Sequence, residues 1–545
     1  MATSGSQDIE QATTSIQPDN KTRRYDRQLR LWAASGQAAL ESSRILVLSG
    51  SATSTSILKN LVLPGIGHFT ILDDATVSGA DAGVNFFLNG FHSIGKSRAE
   101  EAVPLLRELN DSVDGAAVVK SLDEVLSSED GRAWVKSFSL VIAHNLPKGT
   151  LEKLSALLWE DLTDPPLIVV RSAGFLADFY IQFREQCIIE SHSEAAPSLR
   201  LTKPFPALQE WANSLDYSKL DPTDHAHVPF VIILIKEADQ WRAEHGGSLP
   251  KTYQEKQEFK KRIRNRQAKL DEENFEEAET QAWRMWSETP VPSDIKALFD
   301  LTPLEQPSTS SQQHQLNGSS SRPHQLNPEF HALIKTLQKF VNAPDGTGHL
   351  PLTSSLPDIR TDTESYVRLQ KMYKEWSNVE AAKVKDLLRT TYPDMRIDDN
   401  MVNLFIKNVH HIKVLRGKKF GSWDENQENV AQSLQFAPLE TATHLALNAL
   451  STLLARNPDP TSVTAEALTA EIQQVVGQSV QLPTEVENAV GEIARAPTSE
   501  LPNTAAFLGG MVAQEAIKMI TKQYVPVNGY CVVDLVDSKT GLLQN

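Results

Sequence analysis

Cysteine is nearly missing from this chain: Cys187 and Cys531 are the only two among 545 residues. Two thiols supply neither a disulfide framework nor a four-cysteine zinc site. Basic charge is also in deficit. The 53 Lys and Arg face 69 Asp and Glu, a net charge of −16, which argues against a nucleic-acid or anionic-membrane surface. No apolar run approaches the roughly 20 residues needed to cross a bilayer. Met1 to Asn20 has neither a signal-peptide apolar core nor an Arg-rich transit pattern. At 40% hydrophobic and 22% charged, the expectation is a soluble intracellular protein with room for several domains.

Glycine is short where it would count most. Arg44-Ile-Leu-Val-Leu-Ser49 has the length and apolarity of a buried parallel strand, and Ile57, Leu58, Leu61 and Val62 recur at helical spacing. A nucleotide-binding βαβ unit begins this way, with phosphates on the helix N-terminus. The turn between them, Gly50-Ser-Ala-Thr-Ser-Thr-Ser56, has one glycine. A phosphate cradle needs several so that the backbone can approach the anion. The scaffold of a nucleotide site is kept while the site is lost.

Gly67-His-Phe-Thr-Ile-Leu-Asp73 reads as a second strand closed by an acid. Such an acid either binds ribose hydroxyls or simply ends the strand. Gly95 to Asn110 reads as helix, with Pro104 its weak point. Ser139–Ala143 and Leu167–Val170 read as buried strands flanking a helical Leu151–Trp159, so residues 44–171 predict a parallel α/β sheet. Upstream, Tyr25, Leu29 and Trp32 share one helical face and Arg27 points the opposite way. By its residues alone Arg27 is a solvated arginine on an amphipathic helix.

Beyond the sheet the pattern changes. Phe179 to Ile189 is extended and puts Cys187 on a half-buried strand without an activating base. Residues 228–300 are helical, with the acidic run Asp271 to Glu277 a solvated face. Residues 1–20 and the Ser/Gln/Pro/His-rich stretch 302–327 cannot bury a core and are expected to be disordered. Pro328 to Arg495 is helical again, with His410 and His411 in an apolar helical stretch. Asn503 to Ile520 is a helix capped by Asn503 or Thr504, with Phe507, Leu508, Met511, Val512 and Met519 as its apolar face. Gly509 and Gly510 inside it predict close approach to a neighbour. Gly529–Asp534 reads as a strand that buries Cys531. A helical block thus interrupts one α/β domain.

These residues resemble the activating enzymes of ubiquitin and ubiquitin-like modifiers, built on the ThiF/MoeB adenylation fold. The resemblance is carried by Tyr25-Asp-Arg-Gln-Leu-Arg-Leu-Trp32, Leu58-Lys-Asn-Leu-Val-Leu-Pro-Gly-Ile-Gly67, Ser93-Ile-Gly-Lys-Ser-Arg98 and Ala505 to Lys518. Within the family it runs to the regulatory subunits of the heterodimeric enzymes of the neddylation pathway. Ser78-Gly-Ala-Asp-Ala-Gly83, Lys203-Pro-Phe-Pro206, Asp224-His-Ala-His227, Asp271 to Ala278 and Leu356-Pro-Asp-Ile359 carry that closer likeness. It weakens across 302–327 and 395–495. The implied fold is a Rossmann-type adenylation domain, residues 21–172 and 496–545, interrupted by a mainly helical insertion, 173–495. That insertion is similar to a catalytic-cysteine half-domain without its nucleophile.

The departures from active members carry as much as the likeness. Those members have a glycine-rich turn where Gly50 to Thr55 stands, and a second acid beyond Asp73 where this chain has Ala75. They have an arginine where Val84 stands, and a lysine that aligns with Arg98, two residues past Lys96. The resemblance therefore implies a degenerate cofactor site at Gly50, Asp73, Ala75, Val84 and Arg98, with the cations that stabilise phosphate charge removed or altered. It implies a chain that is no enzyme on its own and holds neither cofactor nor metal. ATP, Mg, the catalytic cysteine and zinc would lie on a partner catalytic subunit. The other implied partners are the modifier and, through the complex, a conjugating enzyme, in cytoplasm or nucleus. Arg27 becomes the active residue, since the family's arginine at this motif reaches across the dimer to the partner's ATP phosphates.

Three other readings compete. A regulatory subunit of the sumoylation pathway resembles the adenylation half but lacks so long a helical insertion. A self-sufficient adenylating enzyme would need the missing glycines and a nucleophilic cysteine. A nicotinamide-dependent oxidoreductase would need a Gly-x-Gly-x-x-Gly turn.

Overall fold

The computed structural model describes residues 20–193, 197–269, 272–287, 291–304, 327–343 and 348–544. The expected disorder of residues 1–20 and 302–327 falls almost wholly outside them. The sheet opens with β1 (Arg44–Leu48), β2 (His68–Leu72), β3 (Asp114–Val118), β4 (Leu140–His144), β5 (Leu167–Ala173) and β6 (Leu176–Gln182). A small two-stranded sheet pairs β7 (Glu185–Ile188) with β8 (Lys413–Arg416). The chain closes on β9 (Gly529–Asp534) and β10 (Lys539–Gln544). The main sheet has the order β10-β9-β6-β5-β4-β1-β2-β3. Its first five strands are parallel, and β6, β9 and β10 join antiparallel.

From β1 the chain builds outward to β2 and β3, then crosses back to place β4 on β1's other side. That reversal makes the crevice beyond Leu48 and Ala143 the switch point where open α/β sheets bind ligands. Ile45 to Leu48 and all of β4 are buried, as a sheet covered on both faces requires.

Three features of the sheet exceed the sequence expectation. The β5–β6 hairpin carries it to Gln182, past the boundary expected at 172. Strand β3 is Asp-Gly-Ala-Ala-Val, half-buried at the sheet's rim and too poor in large apolar groups to stand out. Strand β10 buries only Leu543.

The first helix, Asn20–Ser42, breaks at Trp32 and Ala33, and Ala33 has φ 55°. Its anchor is Tyr25, buried, whose hydroxyl accepts from Asn110 Nδ2 at 3.0 Å and meets Ser112 Oγ at 3.1 Å. The helix Pro502–Thr521 begins at Leu501, so Asn503 and Thr504 lie inside its first turn rather than capping it. Thr504 Oγ1 instead donates to Gly174 O at 2.8 Å. Leu508, Val512 and Met519 are buried as expected, whereas Phe507 is 40% exposed.

The intervening region is helical around three apolar clusters. Phe230, Ile233, Trp241, Phe259, Phe275 and Tyr373 centre the first. Ile295, Phe330, Leu337, Phe405 and Ile412 form the second, which also covers Cys187. The third lies under the helix Pro438–Arg456 and reaches Ala173 and Leu176 of the main sheet. His410 and His411 sit in the turn after the helix Asp399–Lys407, not within a helix. Burial pushes His410 down to about 4, so it is neutral at physiological pH. No described helix is long and apolar enough to cross a membrane.

Candidate functional site: the turn after the first strand

The turn keeps the course of a phosphate cradle although most of its glycines are gone. Ser49 has φ 107°, a backbone that favours glycine and costs a serine on the order of 1–3 kcal/mol. Gly50 follows with its N–H donating to Asp73 Oδ2 at 2.6 Å. A Cβ at Gly50 would lie 3.2 Å from both that oxygen and Arg98 Cγ. Ser51 then caps the helix Ala52–Val62, accepting from Ser54 N at 3.2 Å. This cap starts the helix five residues before Ile57, where the apolar spacing first shows.

The remaining N-terminal donors of the helix are also engaged. Glu500 accepts from Ala52 N at 3.1 Å, Thr53 N at 3.0 Å and Thr53 Oγ1 at 2.7 Å. Ser51 Oγ lies 2.8 Å from His144 Nδ1, and His144 Nε2 lies 2.9 Å from Ser172 Oγ. Burial holds this imidazole below the ordinary histidine value, against the pull of Glu500 and with a smaller push from Arg98. The switch-point crevice is thus filled by a neutral histidine, two serines and a carboxylate.

Of the residues expected to form a degenerate cofactor site, Gly50, Asp73 and Ala75 come together around Arg98. Its Nε donates to Asp73 Oδ2 at 2.7 Å, Nη1 to Asp81 Oδ1 at 3.1 Å and Nη2 to Ser49 Oγ at 3.3 Å. Burial opposes the guanidinium's charge, yet Asp73 and Asp81 outweigh it and hold Arg98 more firmly protonated than a free arginine. Burial likewise opposes the Asp81 carboxylate, but hydrogen bonds from Ser78, followed by Arg98, keep its pKa below the usual range. Ala75 donates its N–H to Asp73 Oδ1 at 3.0 Å. Val84 is half-buried at the end of the short helix Gly79–Val84. Next to it, Asn85 Nδ2 donates to Gly50 O at 3.0 Å and Asn85 Oδ1 accepts from Thr55 Oγ1 at 2.9 Å. Both the acid and the cation that could address a nucleotide are therefore committed to each other.

Arg27 stands apart from this cluster. It is exposed and, among the described residues, makes no hydrogen bond or ion pair. Two neighbours differ: Arg24 donates to Asp111 at 2.6 Å, and Arg30 pairs with Asp26 at 3.0 Å, whereas Arg23 shares Arg27's exposure and lack of a described partner. Both cysteines are buried. Burial, followed by Glu185, pushes the Cys187 thiol far up, and burial pushes Cys531 up to about 12. Neither is a thiolate near neutral pH. Among the described residues no group of three or more His, Cys, Asp or Glu is placed to hold a metal.

Sequence reasoning missed Asp81, Asn85, His144 and Glu500. Asp81 had a signal, since Ser78-Gly-Ala-Asp81 forms a capping box. Glu500 had none, because its partners lie more than 440 residues upstream.

Residues 25–144 match the ThiF family. The NEDD8-activating enzyme E1 regulatory subunit of Xenopus laevis is 35% identical across 93% of this chain and 96% of its own length. The NEDD8-activating enzyme E1 regulatory subunit AXR1 of Arabidopsis thaliana is 29% identical across 98% of each. The solved structure of Escherichia coli MccB overlaps with a TM-score of 0.26 at 13% identity, over 30% of this chain and 45% of that one.

Proposed function

The chain belongs to the NEDD8-activating enzyme E1 regulatory subunits, and from that membership we propose how this half of the enzyme contributes. It is the regulatory subunit of an activating enzyme of the neddylation pathway. In our reading it binds no ATP and forms no thioester. It pairs with a catalytic subunit that holds ATP, Mg and the nucleophilic cysteine. Arg27 completes that subunit's phosphate site in trans, and the helical region between β6 and Glu500 helps to seat the modifier and, through the complex, the conjugating enzyme. Two cysteines without a disulfide between them suit a reducing compartment, cytoplasm or nucleus.

One observation carries the reading. The backbone N–H groups of Gly50, Ala52, Thr53 and Ser54 at the turn after β1 are all engaged by the chain's own carboxylates or hydroxyl, while among the described residues Arg27 makes no hydrogen bond or ion pair. Displacing those groups would leave buried carboxylates unpaired, at a cost of about 1–3 kcal/mol or more each. Calorimetric titration with Mg·ATP tests it. The isolated chain is expected to give no binding heat, and the reconstituted heterodimer one equivalent. A micromolar dissociation constant on the isolated chain overturns the reading.

A further inference from the structure

We propose that Glu500 is a tethered surrogate for the phosphate that this turn would otherwise hold, and that it keeps the vacated seat closed. The proposal rests on the reading above that this half binds no ATP, and it concerns what has taken the nucleotide's place.

The helix Ala52–Val62 is 11 residues long and its N-terminus is dry, with Thr53 and Ser54 almost fully buried. Free N–H groups at such an end, together with the helix dipole, attract an anion. Buried without a partner they would destabilise the fold. A chain that gives up the nucleotide must therefore supply an anion of its own. One carboxylate takes two backbone N–H groups and the Thr53 hydroxyl at 2.7–3.1 Å. Two further N–H groups, of Ser54 and Gly50, go to Ser51 and Asp73. The Glu500 side chain is only 13% exposed, so the contact is shielded from water.

The tether explains why a free anion does not compete. Glu500 directly precedes Leu501, which caps the helix Pro502–Thr521, and that helix packs tightly on Ala52–Val62 through Gly509. Even a flexible link sets an effective concentration in the millimolar range, and here the carboxylate is positioned by a packed helix. The carboxylate thereby clamps the last segment of the sheet domain to its first. The domain keeps the closed arrangement of a liganded site at all nucleotide concentrations, which confines nucleotide exchange to the partner.

The test is rescue of Glu500→Ala by inorganic phosphate, in the full chain, at ionic strength held constant with sodium chloride. The variant is expected to melt below wild type. Phosphate is expected to raise its melting temperature saturably, by at least about 2 °C, with no phosphate-specific shift in wild type. Glu500→Gln, whose amide still fills the seat, is expected to be destabilised less and to ignore phosphate. If Glu500→Ala cannot be obtained folded, Glu500→Ser, which likewise removes the carboxylate and leaves the seat open, carries the same comparison. A variant as stable as wild type, or one that responds equally to phosphate and chloride, overturns the proposal. Binding of ATP by wild type would instead overturn the reading on which it rests.

Discussion

Among the described residues Arg27, like Arg23 on the same helix and unlike Arg24, Arg30 and Arg98, is an arginine with no hydrogen bond or ion pair of its own. Arg98 spends its guanidinium on Asp73, Asp81 and Ser49, and Arg24 spends its own on Asn110 and Asp111. A planar fork left free on an exposed helix face is suited to a phosphate supplied from outside the chain. If it meets the partner's ATP, its charge should matter most as negative charge shifts during adenylation. Loss of one such preorganised donor typically costs about 10²–10³-fold in rate. Arg27→Ala is therefore expected to slow ATP–pyrophosphate exchange in the heterodimer by that factor without impairing assembly. Arg27→Lys is expected to rescue partly, because a point charge cannot reproduce the fork. Arg30→Ala, which breaks only an exposed pair with Asp26, is the control. Equal exchange rates for Arg27→Ala and wild type, in an assembled complex, would reduce Arg27 to a surface residue.

At the scale of elements, the two helices that flank the seat show how close packing and helix propensity oppose each other. A Cβ on Gly509 would sit 2.3 Å from Ser56 Oγ and 2.9 Å from the Ser56 carbonyl carbon, whereas one on Gly510 meets nothing within 4 Å. Alanine gains about 1 kcal/mol over glycine in a helix interior, but forcing two helices apart costs about 1–3 kcal/mol. The two substitutions should differ in sign. Gly509→Ala is expected to lower the melting temperature of the isolated chain and Gly510→Ala to raise it slightly. A stabilised Gly509→Ala would show that the helices part freely. Of the two glycines that the sequence marked for close approach, the structure gives that role to one. The core strands β1, β2, β4 and β5 were legible because burial on both faces leaves near-continuous apolar runs. The rim strands β3 and β10 were not, since half-buried small residues leave no periodic trace. Within the site, Gly50, Asp73 and Arg98 could be read from the local pattern and the family resemblance. The occupant of the seat could not, because Glu500 reaches it only through the tertiary fold.

Across the whole molecule, a buried charge network ties the helical region to the sheet. Asp178 of β6 receives Arg171 of β5 through Nε at 2.8 Å and also binds His444 Nδ1 at 2.9 Å. His444, on the helix Pro438–Arg456, places its Nε2 2.8 Å from Asp424. The Tyr530 ring of β9 lies 4.1 Å from the imidazole, with Trp423 on its edge. Burial disfavours the charge on His444, yet Asp424 and then Asp178 outweigh it and hold its pKa above the ordinary value. Its stabilising contribution is therefore complete below about pH 6.5 and lost as pH rises through the raised folded value. The two acids have the opposite sign. Burial opposes their charge, but Arg171 and His444 hold both below the usual carboxylate range, so their contribution is lost only as the solution becomes strongly acidic. His444→Gln, which cannot carry the charge, is expected to destabilise the chain at pH 6 by about 3–5 kcal/mol, the usual cost of breaking a buried ion pair. The deficit should shrink as pH rises from 6 through the raised folded value, where wild type loses its proton as well. Urea midpoints of both proteins across that range provide the measurement. Parallel pH profiles for the two would mean that His444 is neutral in the folded chain and that packing, rather than charge, joins the helical region to the sheet.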